Sequence, residues 1–324
     1  RIMSEIYLVI VVFLFVLAVF DLMVGVSNDA VNFLNSAIGA KVAKFRTIII
    51  VAAVGVFLGA TMSNGMMEVA RHGIFHPAMF SLKELMFIFL AVMVSDVILL
   101  DIFNNLGLPT STTVSLVFEL LGGTTAFVLL KLANDTTGLT VGDLMNTEKA
   151  LGMIMAIFVS VAIAFFFGIV LQYISRLVFT FTYKKNLKWK IGIFGGIATT
   201  AIFYFMLFKG IKSMSFVTPE IQEYIQSNTL TFLGICFLAS TAVMQILYFL
   251  KVNVFKILVL MGTFALAMAF AGNDLVNFIG VPLAGYSSYT DYVSSGATDP
   301  STFMMSSLDG PAKSPLIFLV AAGA

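Results

Sequence analysis

The chain has 324 residues, 60% of them hydrophobic and only 11% charged, with a formal net charge of +1 and a mean hydropathy of +1.03. Soluble domains carry about 25% charged residues, so that class is excluded. With so little net charge and no basic arm, nothing in the chain is built to bind nucleic acid. The single Cys236 lies inside an apolar run, so no intrachain disulfide can form.

Apolar runs recur from end to end, and a bilayer span needs roughly 20 residues. The runs do not alternate as barrel strands do. The expectation is an all-α polytopic membrane protein. The run Ile6 to Phe20 leads straight into a polar motif, so it reads as a working span rather than a cleaved signal. Span one is expected from about Ile6 to Val26. A short helical piece, Asn28 to Ala40, and a basic turn with Lys41, Lys44 and Arg46 follow. Span two covers Thr47 to Met67. A polar patch follows, in which Glu68 and Arg71 are spaced for a local ion pair and His72 and His76 sit one turn apart.

Span three runs from Leu85 to Phe103 and carries Asp96 and Asp101. These are five apart, so they do not share a helix face. The segment Asn104 to Thr113 opens an apolar run to Leu132 that carries Glu119, a charge with no evident partner in sequence. Residues 134–148 read as a polar loop. Further spans are expected at Ala150 to Phe181, Ile191 to Phe208, Leu230 to Leu250 and Ile257 to Ala271. A polar loop is expected from Tyr286 to Lys313, then a last apolar run from Pro315. By function the chain divides into a first transport repeat (1–133), connecting helices and loops (134–256), and the start of a second inverted repeat (257–324).

One hexapeptide organises this plan. Asn28-Asp29-Ala30-Val31-Asn32-Phe33 recurs as Asn273-Asp274-Leu275-Val276-Asn277-Phe278, differing only at the third position. A carboxylate inside an apolar segment is costly and points to function. Recurrence in corresponding places points to the broken helices of a secondary transporter. The plainer reading is an Asn-Asp helix cap. Positive charge marks cytoplasmic loops, which places Lys41 to Arg46, Lys184 to Lys190 and Lys251 to Lys256 inside. The two copies then enter the membrane from opposite sides, as inverted repeats do.

Each Asp is expected to open a short helix next to unwound backbone. Carboxylate and amide oxygens are hard ligands, suited to a hard cation such as sodium; the same carboxylates can also take a proton. Asp29, Asn32, Asp274 and Asn277 are therefore the candidate cation ligands, with sodium held at Asp29 and Asp274. Asp21, eight positions before Asp29, is placed to face the same cavity. The second element is Pro109-Thr110-Ser111-Thr112-Thr113. Proline suits a helix start, and free amides, hydroxyls and the helix dipole converge there on an anion. Candidate anion ligands are Thr110, Ser111, Thr112 and Thr113, with Asn28 and Asn273. The alternative is a Ser/Thr cap that satisfies its own helix.

At these elements the sequence resembles the PiT family of inorganic phosphate transporters. That family shows paired Gly-Ala-Asn-Asp-Val-Ala-Asn-type motifs in inverted halves, each half with a Pro-x-Ser-Thr-Thr-type segment. The stretch Glu68 to Ile74 is similar to a further family stretch. Val56 and Val114 stand where many members have Glu and His. No second Pro-x-Ser-Thr-Thr is present, so the chain is expected to stop within its second repeat. The resemblance implies phosphate symport with sodium or protons in the cell membrane, with no other cofactor and no enzymatic reaction. The partners are then phosphate, the coupling cation and the lipid bilayer, and a homodimer is one assembly open to such a chain. A carrier of another oxyanion such as sulfate is the nearest alternative, and a non-transporting membrane binding protein lies further off.

Overall fold

The computed structural model describes residues 2–61, 70, 73–134, 138–180, 183, 187–213, 220, 223–224, 227–310 and 315–324. The Glu68–Arg71 pair and the His72–His76 pair proposed above involve residues outside this set. The described helices are α1 (Ile2–Gly39), α2 (Phe45–Thr61), α3 (Leu82–Asn105), α4 (Thr112–Ala133), α5 (Val141–Leu144), α6 (Thr147–Phe179), α7 (Lys190–Ser213), α8 (Thr229–Phe249), α9 (Val254–Asn273), α10 (Leu275–Ser295) and α11 (Leu316–Gly323).

Among the described residues, six helical stretches are long and apolar enough to cross a membrane: Glu5–Gly39, Leu82–Asn105, Thr112–Ala133, Thr147–Phe179, Thr229–Phe249 and Val254–Ser295. Phe45–Thr61 and Lys190–Met206 are shorter apolar helices. The chain is an all-α polytopic membrane protein. Side chains such as Phe158, Phe165, Phe166 and Leu171 on α6 are exposed, as lipid-facing positions are, since hydrocarbon does not penalise apolar surface.

Two expectations about local structure are corrected. No helix break occurs at the first Asn-Asp; α1 runs unbroken from Ile2 to Gly39. Neither a proline nor a glycine pair lies near Asp29 to break it. The helix ends at Gly39, and Lys41 just beyond it, with a left-handed backbone (φ 51°), lets the Val42 N–H donate to the Ala37 carbonyl at 3.2 Å, in the manner of a Schellman closure. The stretch from Tyr286 is not a loop at its start, because α10 continues to Ser295. Its hydroxyls donate back to the helix's own carbonyls: Ser288 to Ala284 at 2.8 Å and Thr290 to Tyr286 at 3.0 Å. A Ser/Thr-rich sequence can thus stay helical.

The chain forms two compact units that alternate along the sequence: one of residues 1–31, 63–157 and 270–324, the other of residues 32–62 and 158–269. In the first unit, the buried face of α1 (Tyr7, Val11, Leu14, Ala18) shares a core with Leu85, Met86, Phe89 and Val92 of α3, Leu116 and Leu120 of α4, and Val281 and Ala284 of α10. Ser81 and Glu84 form a capping box that starts α3. Lys131, in the last turn of α4, pairs with that Glu84 at 3.0 Å and donates to the Met79 carbonyl at 2.6 Å. These bonds tie the end of α4 to the start of α3, so the two helices run antiparallel and the start of α4 lies at the far end of the pair. In the second unit, α7 and α8 meet where Gly195 and Gly196 lie against Met244 and Thr241. Ile191, Met244, Val254 and Leu258 form its core.

Candidate functional site

The start of α4 is where the two motif copies converge. α3 ends at Asn105, and just beyond it Gly107, with a left-handed φ of 66°, turns the chain at no steric cost. Leu108 and Pro109 then lead into α4. Asn28 grips this connection through its side-chain amide. Its Nδ2 donates to the Leu108 carbonyl at 2.9 Å, and its Oδ1 accepts from the Thr110 N–H at 2.9 Å. The first copy therefore holds the backbone on either side of Pro109.

The second copy holds a side chain. The Thr113 hydroxyl donates to Asp274 Oδ1 at 2.9 Å and accepts from Asn277 Nδ2 at 3.0 Å. Asn277 is 1% exposed. Thr112 is equally buried, and its hydroxyl has no hydrogen-bond partner among the described residues. Asp29 itself is buried and feels the charge of Asp274. Two acids, two hydroxyls and Asn277 thus meet at one helix N-terminus. Helical geometry leaves the amides of the first turn, Thr112 and Thr113, without an intrahelical carbonyl.

The other candidates fall differently. Ser111 is the N-cap of α4 and accepts from the Val114 N–H at a long 3.4 Å, which is the capping role weighed above. Asn273 is the last residue of α9 and is half-buried. Asn32 lies one turn beyond Asn28 and is exposed. Asp21 is fully buried and faces Asp96. Asp96 is buried while Asp101 is exposed, and their five-residue spacing puts them on different helix faces.

Two contributors were not legible in sequence. The Leu108 carbonyl is invisible to any side-chain pattern. Gly25, one turn before the first motif, allows the close approach of the buried Phe278 ring; a Cβ there would overlap it. The only available signal was a small residue one turn ahead of a motif that ends in Phe.

Fold and site together define a multi-pass helical membrane protein with acids, amides and hydroxyls gathered inside it at a helix start. The phosphate transporter family (PHO4) matches residues 25–323, and the chain belongs to that family. The matched range includes both motif copies and the Pro109 segment, in agreement with the resemblance to PiT transporters. Comparisons with curated proteins and with solved structures returned no match.

Proposed function

We propose that the protein is a secondary active transporter that imports phosphate with a cation, sodium in first place, across the cell membrane. Asp29 and Asp274 hold the cation, assisted by the hydroxyls of Thr112 and Thr113 and the amide of Asn277. Phosphate lies at the α4 N-terminus, on the free amides and hydroxyls of its first turn. Asn28 sets the position of that turn by holding the backbone around Pro109. The observation that carries this reading is the bridge from Thr113 to Asp274 and Asn277, made at the same helix end that Asn28 grips.

The charges dictate an order of events. Two carboxylates beside the anion site repel phosphate, and no Lys or Arg lies in the segment from Asn104 to Thr113. A bound cation neutralises the acids and supplies attraction at short range, where a low dielectric strengthens it. The cation therefore binds first, and phosphate affinity rises with cation concentration. By linkage, phosphate must tighten cation binding by the same factor. Calorimetric titration of phosphate at several sodium concentrations tests this. Phosphate affinity independent of sodium at constant pH would remove sodium from the scheme.

A further inference from the structure

Beyond the motif site, the first unit holds a second polar group that transport by Asp29 and Asp274 does not use. Asp96 on α3 and Glu119 on α4 are neighbours across the packed α3–α4 pair. Ser115, one turn before Glu119, donates to Glu119 Oε1 at 3.4 Å and also reaches Asp96. Into this pair points Asp21 of α1, a side chain with 0% exposure. No donor from a described residue reaches either of its carboxyl oxygens, and the carboxyl neighbours that of Asp96. Asp96 is 1% exposed, and one oxygen each of Asp96 and Glu119 is likewise without a donor.

We propose that Asp21, Asp96 and Glu119 form a proton-binding site in the core of the first unit, separate from the cation site at Asp29 and Asp274. An ionised carboxylate has only acceptors to offer, so two facing carboxyls bond only when one carries a proton. Three unneutralised carboxylates gathered here, Asp21 and Asp96 buried and Glu119 half-buried, would repel one another and be poorly solvated. Among the described residues none of the three forms an ion pair. Lys131 is held by Glu84 at the other end of α4, and the α10 residues packed in this core include the apolar Val281 and Ala284. A titratable neighbour at the motif site is Asp29, which lies within electrostatic reach of Asp96 and of Asp274. A proton gained or lost at the trio therefore alters the field at the substrate site, and the trio serves as a second coupling site for the transport proposed above.

Infrared spectroscopy of the full chain in lipid vesicles, without phosphate, tests the site on its own. The expected spectrum at neutral pH shows the carbonyl stretch of a protonated carboxyl, unchanged when sodium is replaced by a bulky organic cation. The band persists in Asp29→Asn and disappears in the triple variant Asp21→Asn, Asp96→Asn, Glu119→Gln. Should that variant not fold, Glu119→Gln alone takes its place and is expected to shift or weaken the band; a band it leaves unchanged, together with loss in Asp29→Asn, overturns the proposal. Absence of the band at neutral pH overturns the proposal. A band that appears only on sodium removal overturns it in favour of a metal cation, and loss of the band in Asp29→Asn moves the proton to the other site. Phosphate plays no part in the measurement, so a parent that took up no phosphate would sink the transport reading alone.

Discussion

The two copies of the hexapeptide have almost the same residues and opposite local structures. The first lies inside one continuous helix, with Asn28 and Asp29 on consecutive positions of α1. The second is divided, with α9 ending at Asn273 and Asp274 standing as the N-cap of α10. The division of labour differs too. The first copy fixes backbone, through Asn28 to Leu108 and Thr110. The second fixes a side chain, through Asp274 and Asn277 to Thr113. The fifth position shows the contrast most plainly, since Asn277 is buried and Asn32 exposed. An Asn or Asp side chain can bond its own helix, another backbone or another side chain. Which it does is set by what the fold brings within 3 Å, and that is not a property of six residues.

The comparison can be broken most severely at the two acids. Asp274→Asn removes the charged acceptor of the Thr113 hydroxyl, and a hydrogen bond to a charged group contributes about 1.5–3 kcal/mol. We predict a loss of phosphate affinity of about ten- to hundredfold and no cation-driven uptake of radiolabelled phosphate. Asp29→Asn should abolish uptake as well, although it sits in an unbroken helix. Normal cation dependence in either variant, with expression retained, would end the assignment of that acid.

Thr113→Val should be next in size. It keeps the shape and removes both bonds to the second copy, so phosphate affinity should fall by about tenfold or more. Thr113→Ser should recover most of it. Calorimetry in saturating sodium that gave the parent affinity for Thr113→Val would show the bridge to be structural only.

A third change tests how closely the copies are packed. Gly25→Ala forces a methyl group into the Phe278 ring, and overpacking of this kind costs about 1–3 kcal/mol. We expect a lower Tm in detergent, partly restored by adding Phe278→Leu. Unchanged melting of Gly25→Ala would mean that the two copies are not held together there.

The smallest expected effect is at Ser111. As a helix cap with a long 3.4 Å bond, its loss should cost about 0.5 kcal/mol, the low end for caps, and leave phosphate affinity unchanged. A tenfold drop in affinity for Ser111→Ala would instead make it a phosphate ligand and extend the site one residue toward Pro109.

By itself the sequence determined the class. Its apolar runs require membrane helices, and the boundaries of α3, α4, α6 and α8 fall close to those runs because hydrophobic length is a local quantity. It also singled out candidate residues, because a carboxylate in a membrane segment demands a partner whatever the fold. Tertiary structure decided the rest. It alone placed the Asn28 amide on the connection before α4, since its partners Leu108 and Thr110 lie about eighty positions away. It alone joined Thr113 to Asp274 and turned Asp21 toward Asp96 rather than Asp29. Those pairings depend on how α1, α3, α4 and α10 pack, and packing is a relation between distant segments that no spacing within one segment encodes.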